Sequence, residues 1–166
     1  MHRVVFAIGI LLGAIMFVPG CQKRVNEFVI PPKFRGAIKI EPSVPDERVT
    51  VEPEIRGSTV TYVVPNTGVL KLRDARPFKS YAQIAAKYAD GTPLLTGDDL
   101  TPDPNGKYRY SGDREKAIAL WTLFSDDKGN LWMYVGTHQE FATAASIGSG
   151  KLAPGHRVSS RSSKGR

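Results

Sequence analysis

With 166 residues, 41% of them hydrophobic, the chain has enough apolar side chains for one domain and too few for two. Its 16 glycines and 12 prolines exclude a coiled coil or a series of membrane spans, and its single cysteine excludes an internal disulfide or a cysteine-rich zinc site. The net charge of +7 sits at the ends: residues 21–149 carry 17 bases against 16 acids, so the body lacks the excess needed to neutralise several phosphates, and no nucleic-acid partner is expected.

Met1-His2-Arg3 is a short positive segment, and the run from Val4 to Val18 is apolar and uncharged. That run is shorter than the about 20 residues a helix needs to cross a bilayer, and Pro19-Gly20 ends it where an anchor should continue. The layout predicts a cleaved export signal over residues 1–20, with a permanent membrane span as the alternative.

Val18-Pro19-Gly20-Cys21 resembles the lipobox of bacterial lipoproteins, with an apolar residue three before the cysteine and a small one immediately before it. The chemistry asks for those types: the thiol accepts the diacylglyceryl group, and the peptidase must fit the residue before the cut bond. The resemblance implies cleavage after Gly20, lipidation of Cys21 and stable attachment to a membrane, since two or more acyl chains anchor where one is marginal. Gln22, in place of an aspartate, resembles lipoproteins sent on to the outer membrane, which implies a cell-envelope protein facing the periplasm or exterior. Residues 21–27 are then a tether of at most about 20 Å, with Lys23-Arg24 able to meet anionic headgroups.

Ten prolines from Pro31 to Pro104 cut the body into short runs in which the period is two. Isoleucines share a face in Ala37-Ile38-Lys39-Ile40-Glu41, as do Val60, Tyr62 and Val64; Val49 with Val51 and Leu70 with Leu72 repeat the pattern. Tyr81–Tyr88 suits a strand ending in the turn Asp90-Gly91, although Ser80 could also cap a helix there. Ala117–Phe124 and Leu131–Val135, joined by Ser125-Asp126-Asp127-Lys128-Gly129-Asn130, predict a hairpin carrying Trp121 and Trp132. Thr137 followed by Glu140 makes a capping box that opens a short helix, His138–Ala145. From Gly148 the composition turns to Gly, Ser, Arg and Lys, predicting a disordered basic tail over 148–166.

Short strands at close turn spacing, expected to pair antiparallel and without alternating helices, predict an all-β fold: a single small β-sandwich, or a partly open barrel, over residues 28–147 with one short C-terminal helix. The body is also similar to a bacterial domain family of exported proteins and lipoproteins that carries no assigned activity. The likeness lies in Phe28-Val29-Ile30-Pro31-Pro32-Lys33-Phe34-Arg35-Gly36, Val64-Pro65-Asn66-Thr67-Gly68-Val69-Leu70 and Tyr134-Val135-Gly136-Thr137. It implies no functional residue.

The chemistry-bearing residues form no recognisable catalytic set. A serine or cysteine nucleophile needs a histidine and an orienting carboxylate, and after cleavage only His138, in the first turn of the helix, and His156, in the tail, remain. Gly148-Ser149-Gly150 has the wrong spacing for a nucleophile elbow, and Gly150-Lys151 lacks both the first glycine and the hydroxyl of a phosphate loop. Asp103, Asn105 and Gly106 match three places of a calcium loop that Thr101 and Gly112 break. The doublets Asp98-Asp99 and Asp126-Asp127 look like turns but could face a cleft as paired carboxylates. Trp121, Trp132, Tyr134, Tyr108 and Tyr110 could either form a stacking platform or fill the core. The basic strip from Arg157 to Arg166 could touch an anionic polymer or lipid. The expectation is a non-enzymatic, lipid-anchored binding or structural module without cofactor or metal, whose partners are the membrane and an envelope protein or polymer. The alternative is an anchored hydrolase using paired carboxylates.

Overall fold

The computed structural model describes residues 23–74 and 82–159. The expected signal segment, Gly20, Cys21, Ser80, Tyr81 and the basic strip from residue 160 on lie outside the described residues.

Nine strands form in chain order: β1 (Val25–Ile30), β2 (Gly36–Glu41), β3 (Glu54–Arg56), β4 (Thr59–Val63), β5 (Val69–Lys71), β6 (Gln83–Tyr88), β7 (Pro93–Thr96), β8 (Ala119–Ser125) and β9 (Leu131–Gly136). Among the described residues two α-helices accompany them, a single turn, α1 (Gly97–Leu100), after β7, and α2 (His138–Ile147) after β9, besides a 3-10 turn at Asp46–Arg48. The strands make one sheet in the order β3-β4-β1-β6-β7-β8-β9-β2-β5. Curled on itself, this sheet is a mostly β half-barrel with a short C-terminal helix, the partly open barrel of the two architectures expected.

Period-two patterning explains the inner face. β1 buries Asn26, Phe28 and Ile30 while Val25, Glu27 and Val29 stay half-exposed, and β4 buries Val60 and Tyr62. Phe28, Ile30, Val60 and Tyr62 meet Ile38, Ile40, Leu70, Leu120, Met133 and Val135 in one cluster. Since Val60 and Leu70 belong to strands near opposite ends of the sheet, their sharing a cluster places it inside the curl. The first half of β8 and nearly all of β9 are buried on both faces. Their alternate residues Ala119, Trp121, Trp132 and Tyr134 form a second cluster with Ala37, Ala144 and Leu152, covered by α2.

Gln83–Tyr88 is a strand, as favoured from its alternation, and it reverses at Gly91 with a φ of +87°. The β8–β9 hairpin also forms as expected, with a bulge between Thr122 and Phe124 that adds twist. The expectation of antiparallel pairing is corrected: β1–β4, β1–β6, β2–β5 and β7–β8 are parallel. β1 lies between β4 and β6, each reached only after a long connection, and such connections permit strands to run the same way. The Val49/Val51 alternation makes no strand. Val51 is buried, but the Thr50 and Val51 N–H groups both donate to the Lys71 carbonyl in an irregular segment.

Two boundaries also move. β1 begins at Val25, so Val25–Glu27 belong to a central strand and not to a tether. The tail, expected to be disordered from Gly148, is packed as far as Val158. Leu152 is buried in the second cluster, and Val158 N–H donates to the Tyr134 hydroxyl at 3.0 Å. β5 pairs only with the Lys39–Glu41 half of β2. The tail takes the other half: Gly155 N–H donates to the Ala37 carbonyl at 2.8 Å, and Ala37 N–H to the His156 carbonyl at 3.2 Å. Gly68 has to be glycine here, because its φ is +70° and a Cβ would lie 2.6 Å from the Gly155 nitrogen. Composition misled because two apolar residues and an open strand edge suffice to hold a polar segment.

Candidate functional site

The residues most open to a ligand gather where α1 and the start of α2 flank β8. β7 ends at Thr96, whose N–H and hydroxyl both reach the Asp99 carboxylate, at 2.8 and 2.9 Å, closing the single turn of α1. Gly97 opens that turn and lets Trp121 approach, since a Cβ at Gly97 would stand 3.1 Å from the indole Cε3. The Trp121 Nε1–H donates to the Gly136 carbonyl at 2.9 Å, and Phe141 stacks on the ring at 4.8 Å. Trp121 is thus a fixed, buried floor.

On that floor lie two adjoining depressions, of about 300 and 380 Å³, which share Thr101, Trp121 and His138. Asp98 and Thr122 line the first; Tyr108, Arg114 and Glu115 line the second. The His138 ring sits 5.4 Å from Trp121 and 6.0 Å from Phe141, while its residue remains exposed. The Arg114 guanidinium lies over the Tyr108 ring, 3.6 Å from its centroid, presenting a flat cation at the rim. The groove therefore offers aromatic edges, hydroxyls, both charge signs and an imidazole to a polar ligand.

The aromatic platform expected from sequence is thereby divided. Trp132 and Tyr134 are core residues, Trp121 is a floor, and Tyr108 is the member that stands open, at 38% exposure. Burial pushes up the Tyr134 phenol pKa, in spite of its hydrogen bond from Val158. His156 contributes its carbonyl to the sheet edge and lines neither depression. Among the described residues, no group of three His, Cys, Asp or Glu is placed to hold a metal ion.

Three of the candidate carboxylates, Asp99, Asp103 and Asp126, are tied into turns, while Asp98 lines the first depression. Asp103 accepts from the Asn105 and Lys107 N–H groups, both at 2.9 Å. Asp126 accepts from the backbone N–H of Lys128 and Asn130, the Asn130 amide and the Trp132 indole, at 2.9 to 3.0 Å. Burial alone would raise its pKa, but these donors together outweigh it and hold the carboxyl at about 2. Its stabilisation is therefore complete above the ordinary aspartate range near pH 4 and is lost as pH falls through about 2. Asp126→Asn is expected to cost about 1–2 kcal/mol at pH 7. The gap from wild type should narrow as denaturation is repeated toward pH 2, and a gap independent of pH would contradict this role.

The sequence marks Glu140 only as the capping-box partner of Thr137, and it does accept the Thr137 N–H at 2.9 Å. The fold also brings it Arg35 from the β1–β2 connection and Arg157 from the tail, each in a salt bridge with the buried carboxylate. This hub lay outside sequence reading because its three residues are far apart in the chain. The groove was hidden because Tyr108 was grouped with core aromatics and Arg114 carries no pattern, and only the position of α1 brings them beside His138.

No protein-family model matches this chain, and no curated protein or solved structure was found to be similar to it.

Proposed function

We propose that this is a lipid-anchored cell-envelope protein, bound to the membrane through Cys21 and acting as a non-enzymatic binding module. The observation that carries the reading is Val18-Pro19-Gly20-Cys21, which places the chain's one cysteine at the acceptor position after an apolar run. Gln22 favours the outer membrane as the destination. The groove over Trp121 is the face for an envelope protein or polymer, because Tyr108, Arg114, Thr101 and His138 leave their polar and aromatic groups available there. Binding is favoured over hydrolysis because Asp99, Asp103 and Asp126 spend their carboxylates on backbone turns, and the two acids that line the groove, Asp98 and Glu115, lie in different depressions of it.

The test is intact mass and membrane partition of the protein made in a bacterial host, wild type against Cys21→Ala. The expected wild-type product begins at Cys21, carries acyl chains and sediments with membranes, and all three properties are lost in the variant. Cleavage without lipid, or no cleavage, would overturn the anchor. Purified cell-wall sacculi and envelope extracts, offered to wild type and to a Tyr108→Ala, Arg114→Ala double variant, test the groove.

A further inference from the structure

One strand adds nothing to either core. All three side chains of β3 are exposed, and Ile55, at its centre, is 65% exposed. A single exposed isoleucine is ordinary on a protein surface; what singles out Ile55 from Val63, 60% exposed at the other end of β4, is the rim it occupies.

That rim is the one at which the described body begins. Val25 N–H donates to the Ser58 carbonyl and Gln83 N–H to the Arg24 carbonyl, both at 2.9 Å. Across the sheet, Val25 stands opposite Thr59 on one side and Gln83 on the other, while Arg56 stands opposite Thr59. The turn Gly57-Ser58, with Gly57 at a φ of +58°, therefore projects beside Lys23 and Arg24. Lys23 is exposed, and the Arg56 side chain is 80% exposed with Glu54 as its ion-pair partner.

We infer that the β3–β4 hairpin, led by Ile55 and flanked by Lys23 and Arg24, rests on a bilayer surface bearing anionic phospholipid headgroups. The inference builds on the lipid anchor at Cys21 proposed above. Four residue steps from Cys21 to Val25 span at most about 14 Å, so the domain has little freedom to hold this turn far from the lipid. Bases near an anionic leaflet are favoured, and Ile55 leaves water for the headgroup boundary. The acid Glu54 is neutralised by Arg56 on the same strand.

The experiment uses the full lipidated protein in vesicles of phosphatidylethanolamine and phosphatidylglycerol, with a fluorophore at Ser58→Cys or, beyond the other end of β4, at Asn66→Cys. Acylation leaves the introduced thiol as the one that labels. Headgroup spin-labelled lipid is expected to quench the probe at 58 several-fold more than the probe at 66, and Ile55→Asp should reduce that difference measurably, leaving the part the short tether imposes. Protein that is acylated and floats with vesicles, yet is quenched equally at both positions, overturns the docking and leaves the anchor intact. An Ile55→Asp variant quenched in the same pattern as wild type overturns the docking as well. Protein without acyl mass that labels at Cys21 overturns the anchor, and the docking with it.

Discussion

Glu140→Ala is expected to destabilise the fold by about 2–3 kcal/mol, because it removes a buried acceptor on which a backbone N–H and two arginines converge. The Glu140 side chain is 3% exposed, and three groups depend on it: the Thr137 N–H, Arg35 and Arg157. Arg35 loses most. Its side chain is 23% exposed, and its Nε already finds no acceptor among the described residues. Glu140→Gln keeps the shape and the cap but not the charge, and should fall between the alanine variant and wild type. Burial pushes the Glu140 pKa upward, but the Thr137 N–H, then Arg157 and Arg35, more than offset it, and the result lies below the ordinary value. A folded value below the unfolded one means that the stabilisation is complete above the unfolded glutamate range. It drains away as pH falls through the folded value. Urea denaturation from pH 7 downward should therefore show wild type and Glu140→Ala converging in acid. A variant within about 0.5 kcal/mol of wild type at pH 7 would show that the hub is not what holds the tail.

Trp121→Ala is expected to cost about 3–5 kcal/mol, the usual range for removing a buried indole. Three contacts go together: the stack on Phe141, the bond to the Gly136 carbonyl and the seat against Gly97. Because the indole is the shared floor of both depressions, the same substitution should merge them and abolish any binding that uses the groove. Trp121→Phe separates the effects. It retains the stack but loses the Nε1 donor, so stability should fall by about 1–2 kcal/mol while a ligand held from the Tyr108 side still binds. Thermal unfolding followed on Trp132 fluorescence gives the stability arm. If the alanine variant unfolds with wild type, Trp121 is not a packing residue.

What could be read from the sequence was local. The β8–β9 hairpin was legible because Asp126, Gly129 and Asn130 announce a turn between two alternating runs, and α2 because Thr137 and Glu140 stand at the spacing of a capping box. Strand direction was not legible where the connection is long: alternation in Phe28 and Ile30 says which side chains are buried and nothing about whether Tyr62 runs alongside or against them. The tail misled because Leu152 and Val158 are isolated among polar residues, and their value depends on Ala37 offering an open edge. In the groove, His138 and Trp121 were singled out separately. That Gly97 would bring α1 against the indole depends on the packing of a single helical turn.

The bracket formed by residues 155–158 also sets the order in which the molecule can mature. Ala37 acquires its outer hydrogen bonds, and Arg35 its shared counterion, from positions more than a hundred residues later. β1 likewise waits for β4 and β6 before either of its edges is satisfied. A nascent chain emerging from its N-terminus thus carries β1 open on both sides until Val63 is available and on one side until Tyr88 is, and its β2 edge unsealed until His156 is. Long-range closure of this kind makes folding slow and late, so the chain passes through most of its synthesis in a form that can still be threaded.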